Sequence, residues 1–193
     1  MPAHALFRDE DLRFDVDVDP LINALRQVLP EEGLIVHEAG LRAYECDGLA
    51  PYKQLPRLVV VPETIEQVQT VLRLCHGAGV PVVTRGSGTS LSGGSLPHPQ
   101  GVLLAMGKFN RIREIDHHRR IARVEPGVRN LAITEAAAPY GLYYAPDPSS
   151  QIACSIGGNV GGNAGGVHCL KYGLTVHNVL PVQGLTHEGE LTT

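Results

Sequence analysis

The chain has 193 residues, 43% of them hydrophobic and 19% charged, and a formal net charge of −4. That apolar content can bury a sizeable core, so intrinsic disorder is excluded. An acidic balance with no block of lysines or arginines argues against nucleic acid and anionic membrane surfaces as partners. No apolar run is long enough to cross a bilayer, and the N-terminal MPAHALFRDEDLRF lacks the apolar core of a signal peptide. Cys46, Cys75, Cys154 and Cys169 form no CxxC pair and read as free, buried thiols. These features together predict a cytoplasmic protein.

The first fifty residues read as a helical lead-in. Asp19-Pro20 forms an N-cap and first-turn pair, and Leu21, Ile22, Leu25, Val28 and Leu29 follow at helical spacing until Pro30. A turn-rich bridge, 44–56, leads into an apolar strand at 58–61. Thr64-x-x-Gln67 is a capping-box pattern that opens a helix with Ile65, Val68, Val71, Leu72 and Cys75 on one face. Gly77 and Gly79 end it, and 80–84 is the second strand. A β-α-β unit of this kind leaves the next loop at the carboxyl end of the strand, where ligands bind in α/β layers.

That loop is RGSGTSLSGG, 85–94, with four glycines, three serines and a threonine. A bare turn needs one or two glycines. This composition instead brings backbone N–H groups and the hydroxyls of Ser87, Thr89, Ser90 and Ser92 close to an anion such as a diphosphate. An ordinary flexible loop is the competing reading, and Arg85 reads either as an added positive charge or as a solvated strand end. The run has no GxGxxG, and the chain has no GK[ST], which excludes a P-loop; the lack of a GxSxG elbow at Ser87 or Ser90 argues against a hydrolase serine.

A third strand is expected at 101–106, and a hairpin at 112–116 and 121–125 around His117-His118-Arg119-Arg120. Asn130 caps a helix through Ala138 closed by Gly141, and 142–145 reads as a further short strand. Next comes the second small-residue run. The stiff Pro146-Asp147-Pro148-Ser149-Ser150 precedes 154–166, and six of the eleven residues from Ile156 to Gly166 are glycine. Such a surface lets flat main chain lie against an extended ligand, with the Asn159 and Asn163 amides as fixed polar points. Residues 171–184 and 185–193 read as strands, with His187-Glu188-Gly189 as a turn.

VTRGSGTSLSGG, PDPSSQIACSIGGNVGGNAGG and KYGLTVHNV together resemble the FAD-linked oxidases of the vanillyl-alcohol oxidase and p-cresol methylhydroxylase type. The resemblance begins near Tyr44-Glu45-Cys46-Asp47-Gly48, includes PGVRNLAI at 126–133, and runs to the last residue. It implies an α+β fold rich in α/β units: a two-lobed FAD-binding domain of the p-cresol methylhydroxylase type, with FAD between the lobes and the C-terminal part incomplete. On this reading 1–53 is the helical lead-in and 54–193 the FAD-binding domain, lobe one about 54–110 and lobe two about 111–193.

The resemblance assigns Arg85, Gly86, Ser87, Gly88, Thr89 and Ser90 to a pyrophosphate loop. Pro146, Asp147, Pro148, Ser149, Ser150, Cys154, Ser155, Gly157, Gly158 and Asn159 would run alongside the flavin and its linker. Gly162, Asn163 and Gly165 would line the adenosine diphosphate side. Some relatives attach flavin covalently through a histidine in the first loop; Thr89 stands at that position here, which implies non-covalent FAD. The implied activity is transfer of a hydride from the Cα of a 2-hydroxy acid, glycolate first, to the flavin. D-lactate or another 2-hydroxy acid is the alternative substrate, and a non-catalytic assembly module the alternative role. Implied partners are the small-molecule acid and other oxidase subunits, any peripheral membrane association being through those partners. The family's substrate-binding part lies C-terminal to its FAD-binding part, so this chain alone is expected to turn over 2-hydroxy acids poorly or not at all. No catalytic base or carboxylate clamp is identified: His168 and His177 read as structural. His76, His117 and His118 lack metal-ligand spacing, and no metal is expected.

Overall fold

The structure is a computed structural model that describes residues 16–193; the N-terminal stretch read for a signal peptide lies outside them. The described residues divide into two compact units, one of 16–105 with Gln183–Thr193, the other Met106–Val182.

The first unit is built on a four-stranded sheet in the order β1-β2-β4-β3. β1 (Leu34–Ile35), which the sequence reading missed, runs antiparallel to β2 (Leu58–Val60). β4 (Val102–Ala105) lies between β2 and β3 (Val82–Arg85) and is parallel to both. All three carboxyl ends therefore share one edge, and the loop 86–94 leaves from it. β2 and β4 are buried along their whole length, as continuous apolar runs in a covered parallel sheet require. Val59, Leu103 and Ala105 pack with Leu41, and Tyr44, Leu55 and Val83 close that cluster.

α1 (Asp19–Leu25) begins one residue earlier than the sequence suggests, with Val18 at the N-cap, and the Asp17 carboxylate accepts from the Asp19 N–H at 3.0 Å. Leu21, Leu25 and Leu29 are buried as expected. Short helical turns follow at α2 (Glu38–Leu41) and Arg42–Tyr44. α3 (Ile65–Gly77) forms both halves of its capping box: the Gln67 N–H donates to Thr64 Oγ1, and Gln67 Oε1 accepts from the Thr64 N–H. Val68, Val71, Leu72 and Cys75 are buried, but Ile65 is 48% exposed, because its first-turn position points away from the sheet-facing stripe. Burial pushes the Cys75 thiol up to about 12.

The second unit opens with the expected hairpin, β5 (Ile112–Asp116) and β6 (Ile121–Val124), antiparallel with an irregularity between Ile112 and Glu114. Arg120 takes a left-handed conformation in the tip, and Asp116 Oδ1 accepts from the Arg119 N–H. α4 (Asn130–Ala137) is capped by Arg129 rather than Asn130, whose side chain is fully buried. Residues 142–145 form no strand. The Leu142 and Tyr144 N–H groups donate back to Ala137 O and Thr134 Oγ1 at the end of α4, so no ladder is available to them. Val128, Ile133 and Ile156 form the core of this unit, with Val124 and Tyr144 against them.

Of 171–184, expected as a strand, only Gly184 falls in one. The rest hold the end of α6 (Cys169–Tyr172) and a 3-10 turn at Thr175–Asn178. A strand needs a neighbour, and apolar side chains here face outward: Val176 is 61% exposed and Leu180 60%. The chain then returns to the first unit as the hairpin β7 (Gly184–Leu185) and β8 (Leu191–Thr192), turning at 186–190 as expected. All four cysteines are free, but only Cys75 and Cys154 are buried; Cys46 and Cys169 are half-buried. No described helix is long and apolar enough to cross a membrane.

Candidate cofactor site

In the first unit, the loop 86–94 sits on the TyrGluCysAspGly segment, 44–48. Arg85 is neither solvated nor aimed outward: it is 9% exposed and lies under the loop. Its Nη1 donates to Tyr44 O at 3.2 Å, and the guanidinium stacks 5.8 Å from the Tyr44 ring centre. Burial lowers the Arg85 pKa from its ordinary value, and the nearby Asp47 charge opposes that. Asp47 is itself buried, accepting from the Leu49 N–H at 2.9 Å and from Ser95 Oγ at 3.3 Å. Gly88 has φ +68°, and any Cβ there would land on the Arg85 guanidinium. A Cβ on Gly48 would come within 2.7 Å of both Thr89 O and Ser90 O. Bracing from beneath therefore sets the shape of the loop.

The loop's main chain has donors to spare. Among the described residues, the backbone N–H groups of Gly88, Thr89, Ser90 and Leu91 have no hydrogen-bond partner. Consecutive undirected donors at the carboxyl edge of a parallel sheet suit an anionic, multi-oxygen group.

In the second unit the run 154–166 differs from the flat surface expected of it. Ile156–Gly161 is a short helix, α5, with Ser155 at its N-cap. Glycines oppose helix formation, so tertiary bonds must hold it. The Ile156 N–H donates to Val128 O and the Gly157 N–H to Pro126 O, both at 2.8 Å. A Cβ on Gly157 would sit 2.7 Å from Pro126 Cβ, which accounts for glycine there. Many of the amides are thus spent inside the chain. Asn163 adopts φ 48°, and its Oδ1 accepts from the Val176 N–H at 3.0 Å. Asn159 is 4% exposed and its Nδ2 has no partner among the described residues, a buried donor left over.

Pro146 and Pro148 are buried on either side of Asp147. Asp147 Oδ2 lies 2.5 Å from His168 Nδ1, and Oδ1 accepts from the His168 N–H at 3.3 Å. Gly166 packs directly on the Asp147 main chain. Ser150 O accepts from the Ala153 and Cys154 N–H groups, so Ser149 and Ser150 belong to a turn, with Cys154 and Ser155 buried behind it. Gly158 and Gly162 are exposed and Gly165 half-buried. His177 closes its own turn, its Nδ1 accepting from the Leu174 N–H.

Two supports escaped the sequence reading. Asn130, taken for a cap, is an internal clamp: its Nδ2 donates to Pro146 O at 3.1 Å and its N–H to Cys154 O at 3.0 Å, joining both arms of the second run. The other is the seat that Tyr44, Asp47 and Gly48 give the first loop. No local pattern marks either one; only their place within the resembling segments could have drawn attention to them.

The His168 contact holds the Asp147 carboxyl below its ordinary value, chiefly through the side-chain hydrogen bond. A folded pKa below the unfolded one gives stability that is complete above the unfolded value and lost as pH falls through the folded value. Wild type should therefore lose more stability than Asp147→Asn between about pH 5 and about pH 3, where unfolded aspartate titrates. Urea unfolding across that range is the measurement, and parallel curves would remove the pair's role.

In the first unit the free main-chain donors at the parallel-sheet edge suit the phosphates of a cofactor; in the second, the braced small-residue run leaves one buried amide unpaired. Residues 56–193 match the FAD binding domain family, and the chain belongs to that family, with FAD as its cofactor. It is 58% identical to the glycolate oxidase subunit GlcD of Escherichia coli (strain K12) over 93% of its length, covering 36% of that protein. It is 33% identical to the D-2-hydroxyglutarate dehydrogenase of Xanthomonas citri pv. viticola over 90% of its length, covering 37% of it. The chain thus spans about a third of the length of these curated relatives. Among solved structures, a variant of Physcomitrella patens BBE-like 1 shares the fold with a TM-score of 0.74 at 24% identity, covering 88% of this chain and 37% of that one.

Proposed function

We propose that this chain is the FAD-binding portion of a 2-hydroxy-acid oxidase or dehydrogenase, with glycolate as the first-ranked substrate. The observation that carries the cofactor assignment is the set of unpartnered N–H groups at Gly88, Thr89, Ser90 and Leu91. They offer the pyrophosphate oxygens donors at no steric cost, and Arg85 beneath holds the loop in shape while adding positive charge. Pro146, Asp147, Pro148, Ser149, Ser150, Cys154, Ser155, Gly157, Gly158 and Asn159 form the wall along the flavin, and Gly162, Asn163 and Gly165 the adenosine side. Asn159 Nδ2 is the donor in that wall still free to meet a cofactor acceptor. The chemistry FAD supplies when bound is acceptance of a hydride from the substrate Cα. The chain's own residues bind and orient the cofactor for that purpose.

Thr89 at the covalent-attachment position supports non-covalent binding. Glycolate ranks first because the glycolate oxidase subunit is 58% identical and the 2-hydroxyglutarate enzyme 33%. The subunit name of that relative supports further oxidase subunits as partners, and four free thiols support a reducing, cytoplasmic setting.

Purified chain reconstituted with FAD should bind about one equivalent and release it on denaturation, while Gly88→Val should weaken binding by roughly tenfold or more, the equivalent of about 1.4 kcal/mol. Unchanged affinity in Gly88→Val would overturn the loop assignment. Dye reduction with glycolate by this chain should be weak; vigorous turnover would show that the residues described here already hold a substrate site.

A further inference from the structure

We propose a second, separate site in the first unit: a divalent transition-metal site formed by His76, His187 and Glu188. His76 stands in the last turn of α3 with no partner at ligand spacing along the chain. The fold supplies one from the β7–β8 turn. His76 Nε2 lies 3.9 Å and His187 Nε2 3.8 Å from the same oxygen, Glu188 Oε1. The two imidazoles meet edge to face, 5.0 Å between centroids, and one donor atom from each of the three residues falls within 4.8 Å of the others.

Two neutral imidazoles and a carboxylate are a donor set that zinc and its first-row neighbours favour. Donors around a tetrahedral zinc stand about 3.3 Å apart at ordinary Zn–N and Zn–O distances, so small side-chain rotations close the observed spacing. The side chains are 50%, 79% and 52% exposed and free to make them.

The backbone beneath is fixed. Gly189 O accepts from Gln69 Nε2 at 3.1 Å and from Arg73 Nη2 at 3.3 Å, both on α3. Gly189 has φ +75°, and a Cβ there would come 2.6 Å from Gln69 O, so the turn seats against the helix only with glycine. That seating brings His187 and Glu188 to His76. Beside the imidazoles lies a recess of about 280 Å³ lined by Leu72, Val80 and Pro81. Three protein ligands leave the fourth position of a tetrahedral ion facing solvent or that recess, as in sites that keep an exchangeable water.

The test uses untagged, chelator-stripped chain titrated with Zn²⁺ by calorimetry and with Co²⁺ by visible absorption. The expected result is one metal per chain, a tetrahedral Co²⁺ band displaced by Zn²⁺, and a higher melting temperature with Zn²⁺. His76→Ala and His187→Ala should each weaken binding by about 100-fold and Glu188→Gln by about tenfold, since losing even a group that only hydrogen-bonds to a metal ligand costs about 10- to 100-fold. His117→Ala, at the hairpin tip of the second unit and not among the three ligands, should bind as wild type. Should an alanine variant misfold, His76→Gln and His187→Gln carry the same comparison. The site is overturned if wild type binds no metal, if the His76 and His187 variants keep its affinity, or if the stoichiometry is one metal per two chains.

Discussion

Alanine at Gly166 should strip the chain of bound FAD and lower its melting temperature. The new methyl would fall inside the van der Waals surface of Asp147 O, Oδ1 and carbonyl carbon. Asp147 cannot step aside easily, because its flanking prolines are buried, Asn130 Nδ2 holds Pro146 O, and His168 holds the carboxylate. Overpacking of this kind costs about 1–3 kcal/mol, or about 2–4 °C of melting temperature per kcal/mol in a chain of this size. If the wall proposed to lie along the flavin shifts with Asp147, affinity should fall by roughly tenfold for each 1.4 kcal/mol of distortion. Gly161→Ala is the matched control. It lies in the same run, inside α5, and its added methyl meets nothing within 4 Å. That change should stabilise by up to about 1 kcal/mol. Thermal denaturation of the two variants side by side, with released flavin measured by fluorescence, decides the matter. Equal behaviour would mean that glycine is needed in this run for composition rather than for position.

Leu103→Ala should cost about 2–5 kcal/mol. Leu103 is the middle of β4, is fully buried, and packs with Val59, Leu41 and Ala105 at the centre of the sheet. β4 pairs with both β2 and β3, so a cavity there loosens both ladders and the anchor of the loop 86–94. Chemical denaturation should show the loss, with FAD binding weakened in proportion to the unfolded fraction. A loss under 1 kcal/mol would mean that the sheet collapses around the gap.

Much of the first unit was legible because its signals are local. Thr64 and Gln67 cap α3 with bonds spanning three residues, and the apolar runs of β2 and β4 announce their own burial. The strand order was not legible, since β4 reaches its central place only through long-range pairing. In the second unit the same rules misled. The apolar residues of 142–145 suggested a strand, but their N–H groups go to α4; those of 171–184 suggested another, but most of the large ones face outward. Glycine content marked 154–166 as a segment of close approach to a ligand, and the close approaches the structure shows at Gly157 and Gly166 are to Pro126 and Asp147 of the chain itself. The composition of 85–94 pointed to its exposed donors; the buried state of Arg85 beneath them was fixed by Tyr44 and Asp47, too far back in sequence for any spacing rule.

The return of Gln183–Thr193 to the first unit bears on the order of assembly. The bond from Gln69 to Gly189 spans 120 residues, with the whole of Met106–Val182 in between. Closing so long a loop is entropically costly and slow compared with forming local helices and hairpins. During synthesis from the N-terminus, the residues of the four-stranded sheet and those from Met106 to Val182 emerge from the ribosome before the β7–β8 turn does. The hairpin is therefore a late-arriving clasp on α3, and the first unit waits on the second to be made before it is whole.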